Sequence, residues 1–172
     1  FKTETFQLES DEGIGHQAVR VTDGITGLYK ECSEFKNQFL NREKAMLELE
    51  ELILSIVSLG FTGTRLGMNQ GQKTWLLNVL DKGFPNLKEV HHGSCTGSDE
   101  EFHNFATVLK LETHSHPGTS VNPKVTVLNR ATLKADVTYP EKPFLVRNKI
   151  ISDTCDLLIA CPHKNSNTGG TW

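Results

Sequence analysis

The hydrophobic and polar positions change period along the chain. The first thirty residues are polar, carry Gly13, Gly15, Gly24 and Gly27, and hold one strand-like fragment at 17–21. From about 28 to 52, Gly and Pro disappear and Glu, Lys and Leu dominate. Phe35, Phe39, Met46, Leu49 and Ile53 recur there at steps of three, four and seven, the period of a helix packed by one face. Glu34 and Lys36 fall outside that stripe, as a solvated face requires. The pattern predicts an N-terminal extension over 1–52, with an amphipathic helix at about 28–52.

Beyond it, strand-like and helix-like segments alternate. Residues 54–61 read as a buried strand ending in Gly63, and 70–81 as a helix with Trp75, Leu76, Val79 and Leu80 on its apolar face. Residues 89–92 read as a short strand, 93–99 as a Gly/Ser/Thr loop, and 100–109 as a helix carrying Phe102, Phe105, Ala106 and Leu109. A strand at 111–116 stops at Pro117, and 118–124 is a loop. Residues 125–131 suit a short helix or strand. Pro140 and Pro143 punctuate an irregular entry to a helix at 144–154, and Asp156-Leu157-Leu158-Ile159-Ala160 is a strand closed by Pro162. Alternating strands and helices predict an α/β fold, a parallel sheet with helices on both faces, over 53–172.

Composition narrows the function. The 172 residues carry 18 Lys and Arg against 21 Asp and Glu, a formal charge of −3 with no basic patch, which argues against a general nucleic-acid binder. No apolar run approaches the ~18 residues of a membrane span. Cys32, Cys95, Cys155 and Cys161 are irregularly spaced and form no CxxC pair, so they read as reduced thiols of a cytoplasmic protein rather than a disulfide scaffold. The chain opens at Phe1 rather than Met and stops on Gly169-Gly170-Thr171-Trp172, so the second domain is expected to be truncated at its C-terminal end.

In a parallel sheet, ligands bind where strand ends pass into loops, and here four such loops are expected on one rim. They are Phe61-Thr62-Gly63-Thr64-Arg65, the run from His91 to Asp99, His114-Ser115-His116-Pro117, and Asn167-Thr168-Gly169-Gly170-Thr171. Small residues and helix N-termini favour an anion such as phosphate, although neither GxxxxGK[ST] nor GxGxxG is present. Arg65 and Arg147 are the candidate cations, Arg147 next to Asn148 near a helix start. His91, His92, Cys95, His114 and His116 gather near two strand ends, but His-His-x-x-Cys and His-x-His are not standard zinc spacings. Strand alternation puts His114 and His116 on one face, and His91 and His92 on opposite faces. The expectation is therefore no metal and no cofactor, with His92 and His116 in a ligand cleft. A Cys95–His116 nucleophile pair is an alternative use of the same side chains.

Taken in order, Gly60-Phe61-Thr62-Gly63-Thr64-Arg65, the run His91 to Asp99, His116-Pro117, Lys142-Pro143-Phe144-Leu145-Val146-Arg147-Asn148 and Asp156-Leu157-Leu158-Ile159-Ala160 resemble the SLOG superfamily, named for the DNA-processing Smf proteins and the LOG enzymes. The small YspA-like proteins of bacteria and phages are the nearest branch. The resemblance spans roughly 53–172. It implies a Rossmann-like fold and a nucleotide-binding rim built from Gly63, Thr64, Arg65, His92, Gly93, Cys95, Gly97, Ser98, Asp99, His116, Pro117, Arg147, Asn148, Gly169, Gly170 and Thr171. In that reading the amides of Gly63, Thr64, Gly97, Ser98, Gly170 and Thr171 cradle phosphates, and Asp99 caps its helix or accepts a ribose hydroxyl. The implied role is a sensor or sequestering protein for ADP-ribose or a cyclic-nucleotide-type second messenger, in bacterial or phage immunity and as a homo-oligomer. The LOG branch implies the alternative, a nucleoside monophosphate N-glycosidase. Its Pro-Gly-Gly signature is replaced here by Ser166-Asn167-Thr168, and the chain stops before the catalytic Glu position. Asp99, Glu100 and Glu101 are the acids nearest the rim motifs. A DNA-handling role like that of the Smf branch conflicts with the net charge.

Overall fold

The computed structural model describes residues 1–8, 16–120, 122, 124 and 130–163. The chain divides into two compact units, Phe1–Ser55 and Ile56–Trp172.

The first unit differs from the expected helical extension. Strands β1 (Lys2–Leu8), β2 (His16–Thr22) and β3 (Tyr29–Cys32) form an antiparallel sheet in that order, and helix α1 (Gln38–Ser55) packs on β2 and β3. The helix begins ten residues later than the periodicity predicts because Tyr29–Cys32 pairs with β2, Val19 facing Cys32 and Thr22 facing Tyr29. The buried stripe of α1 is Asn41, Ala45, Leu49 and Ile53, a strict four-residue step, while Phe35 and Phe39 are exposed. Asn41 anchors that stripe. Its Oδ1 accepts from the Phe35 amide, and its Nδ2 donates to the carbonyls of Gln17 and Phe35. A polar residue satisfied in this way sits in a core at little cost; truncated, it strands buried partners.

The second unit is a Rossmann-like α/β layer. Its elements are β4 (Ser58–Gly63), α2 (Gln70–Asn78) running into a π turn (Val79–Gly83), β5 (Glu89–His92), α3 (Ser98–Val108) and β6 (Glu112–Ser115). They continue with β7 (Gly118–Thr119), β8 (Val137–Thr138), β9 (Lys142–Pro143), α4 (Phe144–Thr154) and β10 (Leu157–Cys161). The five-stranded sheet has the order β10-β4-β5-β6-β8 and is parallel throughout, while β7 and β9 form a separate parallel pair. Strand β4 starts at Ser58 rather than 54 because α1 continues to Ser55. Strand β8 is too short to leave a periodic trace. Residues 125–129, expected as a short helix or strand, lie outside the described residues.

Register sorts the side chains. Leu59, Val90 and Thr113 are aligned, as are Gly60, His91 and His114 on the opposite pleat. The first row and its continuation, Phe61 and His92, lie under α3, where Phe61 stacks on Phe102 with ring centroids 4.4 Å apart. Against the other face lies α4: a methyl added at Gly60 would meet Ile151 and Cys155 at 3.0–3.1 Å. Asp156 fastens the start of β10 to the start of β4. Its Oδ2 accepts from the amides of Val57 and Ser58 at 2.9 and 2.8 Å, and these bonds hold its carboxyl below the usual range.

Candidate functional site

The carboxyl rim collects the loops after β4, β5 and β6 with the first turns of α3 and α4. Its glycines are set by packing within the protein. At Gly97, φ is +86°, and a side chain would lie 2.4 Å from the Arg65 carbonyl oxygen. At Gly93 an added Cβ would fall 1.2 Å from Nη1 of Arg147. Gly63 has Ser98 Cβ where its own Cβ would need to be, at 2.5 Å. The Thr64 amide donates to the Cys161 carbonyl at 3.2 Å, and the Ser98 amide to the Thr64 carbonyl at 3.0 Å. These bonds stitch the loops together and commit the amides of Thr64 and Ser98, two of those expected to cradle phosphate, within the protein. Gly169, Gly170 and Thr171 lie outside the described residues.

Arg147 is the centre of the rim. It rises from the first turn of α4, is only 6% exposed, and passes across Gly93. Nη1 donates to the His116 carbonyl at 3.3 Å and lies 3.9 Å from Oδ2 of Asp99. Nη2 reaches Cys95 Sγ at 3.6 Å, and buried Nε has no hydrogen-bond partner among the described residues. A guanidinium has five N–H donors, and these long contacts leave it under-satisfied. Asp99 does not cap α3; the N-cap is Gly97. Asp99 instead reaches back to accept from the Cys95 amide at 3.2 Å. Burial pushes its carboxyl up to about 6, against the downward pull of Arg147. The Cys95 thiol is likewise raised by burial. Its Sγ meets Arg147 Nη2 and the Gly93 carbonyl, whereas His116 is hydrogen-bonded to His91, so the alternative Cys95–His116 pair does not form.

Beside Arg147 opens a cleft of about 150 Å³, lined by His116, Tyr139, Lys142, Ile150 and Thr154. That is room for roughly one ring. Tyr139 stacks on His116 at 4.3 Å and 12°, giving the cleft a flat aromatic wall. Exposed Arg65 and buried Arg147 approach the Phe144 ring at 5.8 and 5.9 Å. The half-buried Pro117 accepts the Lys142 amide at 3.2 Å, and half-buried Asn148 follows Arg147 on α4. Tyr139 was not foreseen, because it follows a two-residue strand; the only signal is its place just before Pro140 and Lys142.

The histidines separate into two systems. His92 lies under α3 and is not among the residues that line the cleft beside Arg147. Its Nδ1 accepts from the Ser94 amide, so the proton is on Nε2, which donates to Nδ1 of His103 at 3.0 Å. Burial pushes His92 down to about 3 and keeps it neutral. On the opposite face, His91 Nδ1 meets His116 Nε2 at 2.9 Å, and His91 stacks on His114. Burial, reinforced by His91, lowers His116 to about 4. Of the residues able to hold a metal, Glu89, His91 and His114 bring one carboxylate and two imidazole nitrogens within 4.8 Å of one another. No family model matches this chain, and neither does any curated protein or solved structure.

Proposed function

We propose that the second unit binds a nucleotide-type anion at the carboxyl rim and acts as a sensor or sequestering protein. The observation that carries this reading is the Arg147 guanidinium, buried at the rim with its Nε unpartnered among the described residues and its other contacts long. Desolvating a cation without completing its hydrogen bonds is costly, and a phosphate offers the missing acceptors. Lys142 lines the same cleft, and the His116–Tyr139 stack presents a flat surface for a base. The SLOG resemblance supplies the candidates, ADP-ribose and cyclic-nucleotide-type messengers of bacterial or phage immunity. It also supplies the expected setting, a homo-oligomer in the cytoplasm.

Two of the three rim acids have structural work, which favours binding over N-glycosidic hydrolysis. Glu101 accepts from the Met68 amide at 2.7 Å and pairs with Lys73 at 2.8 Å. Asp99 is held by the Cys95 amide and by Arg147. The test is native mass spectrometry and calorimetry with AMP, NAD, ADP-ribose, cyclic ADP-ribose and cyclic oligonucleotides, with an assay for released base. One nucleotide retained unmodified is the expected result. Arg147→Ala should weaken its affinity by about 1.5–3 kcal/mol, at least tenfold. Free base and ribose phosphate would replace binding with hydrolysis. No retention by the wild-type protein, or unchanged affinity in the variant, would overturn the rim reading.

A further inference from the structure

The sheet face that carries His91 holds a second constellation, below the rim. The sequence repeats one short pattern on neighbouring strands: Glu89-Val90-His91 on β5 and Glu112-Thr113-His114 on β6. In the parallel register Glu89 faces Glu112 and His91 faces His114. Residues two apart on a strand share a face, so two carboxylates and two imidazoles form a square on one side of the sheet. Sequence spacing alone does not reveal it, because the ligands pair across strands 23 positions apart rather than along one loop.

From these contacts we propose that Glu89, His91 and His114, completed by Glu112, bind a divalent transition metal ion of the zinc class. His91 Nε2 lies 3.4 Å from one Glu89 oxygen, and His114 Nε2 lies 3.7 Å from the other. Glu112 Oε1 is 3.2 Å from the same His114 nitrogen. A tetrahedral ion with bonds of about 2.0–2.2 Å separates its ligand atoms by roughly 3.3–3.6 Å, close to these contacts, and the ligand atoms of Glu89, His91 and His114 all lie within 4.8 Å of one another. The outer contacts orient both rings correctly. His91 uses Nδ1 toward His116 Nε2, and His114 uses Nδ1 toward the Tyr139 hydroxyl at 3.1 Å. Each imidazole therefore has its far nitrogen engaged and presents Nε2 to Glu89, the arrangement that metal-binding histidines adopt. The second, independent observation is His114 Nε2 itself. It is buried, belongs to a side chain only 9% exposed, and has no hydrogen-bond partner among the described residues. Glu89 and Glu112, 35% and 54% exposed, open the site to solvent and give the ion a path in.

The ligands come from two neighbouring strands, so the ion acts as a clamp between β5 and β6. The site is independent of the rim proposal, although the His91–His116 bond connects the two. The test uses the chelator-treated 172-residue chain titrated with ZnCl₂ alone by calorimetry. Co²⁺ substitution adds a geometry-sensitive visible spectrum. The expected results are one equivalent bound, an intense four-coordinate Co²⁺ absorption, and a zinc-dependent rise in the melting temperature. His114→Ala should abolish the one-equivalent binding. Glu89→Gln, a nearly isosteric change at a half-exposed side chain, should weaken it at least tenfold even if His114→Ala fails to fold. Tyr139→Phe removes an outer partner and should weaken it roughly tenfold. No zinc uptake by the wild type, or unchanged affinity in a folded Glu89→Gln, would overturn the proposal.

Discussion

His91 and His92 are adjacent in sequence and lead opposite lives. Under α3, His92 belongs to a closed layer: its nitrogens are spent on Ser94 and His103, and Phe61 and Phe102 pack beside it. On the α4 side, His91 belongs to an unfinished layer. There His114 Nε2 and Arg147 Nε are buried without a hydrogen-bond partner among the described residues, and a cleft opens past His116 and Tyr139. On the α3 side Ser98 Oγ, at the start of the helix, is the one such atom among the described residues and the layer beneath is packed as a core, whereas the α4 side keeps two beside an open cleft. Change on the closed face should therefore cost stability, and change on the open face should cost ligand.

The largest effect is expected on the closed face. Phe102 is fully buried, and Phe102→Ala should lower unfolding stability by about 3–5 kcal/mol in urea titrations. Loss of rim binding in a variant still folded under assay conditions would break the contrast. Gly93→Ala comes next, from the open side. Its Cβ would occupy the Arg147 guanidinium and drive it out of the rim. The cost should be about 1–3 kcal/mol, with loss of nucleotide affinity. Tight nucleotide binding by this variant would count against Arg147 as the anion site.

Asp99 joins the two faces, since it lies on α3 and meets Arg147 from α4. Its carboxyl titrates near 6 in the fold against an ordinary 3.8, so folding disfavours its charged form. Its contribution to stability is greatest below pH 3.8 and is lost as the pH rises through about 6. Relative to Asp99→Asn, the wild type should lose on the order of 1–3 kcal/mol between pH 4 and 7. A flat or rising difference would contradict the assignment. The smallest effect is the control. Lys149 and Asp153 pair at 2.8 Å in solvent, with side chains 76% and 59% exposed, and Lys149→Ala should move stability by less than about 0.5 kcal/mol.

What could be read in advance followed from strong local signals. Helix α4 begins at Phe144 as expected, because Pro140 and Pro143 punctuate its approach. Strand β5 has the expected bounds, and the final strand the expected character. Signals that depend on partners were not legible. Tyr29–Cys32 joins a sheet rather than the following helix because β2 offers it a ladder, and a lone polar Asn41 replaces the expected aromatics in the buried stripe. At the rim, the sequence identifies where backbone approach is close but not what approaches. The close neighbour of Gly93 is Arg147, and that of Gly97 is the Arg65 carbonyl. The Glu-x-His pairs become visible only when register places one on the other.

The latch at Asp156 also sets a schedule for the nascent chain. It joins Ser58 to a residue 98 positions later, so β4 leaves the ribosome long before its outer neighbour exists. At roughly 5–20 residues per second, the wait is about 5–20 s. Throughout it, a strand carrying Leu59 and Phe61 offers an unpaired edge to any other strand it meets. Chains stalled before Leu157 keep that edge open, and aggregation during synthesis is expected to begin at β4.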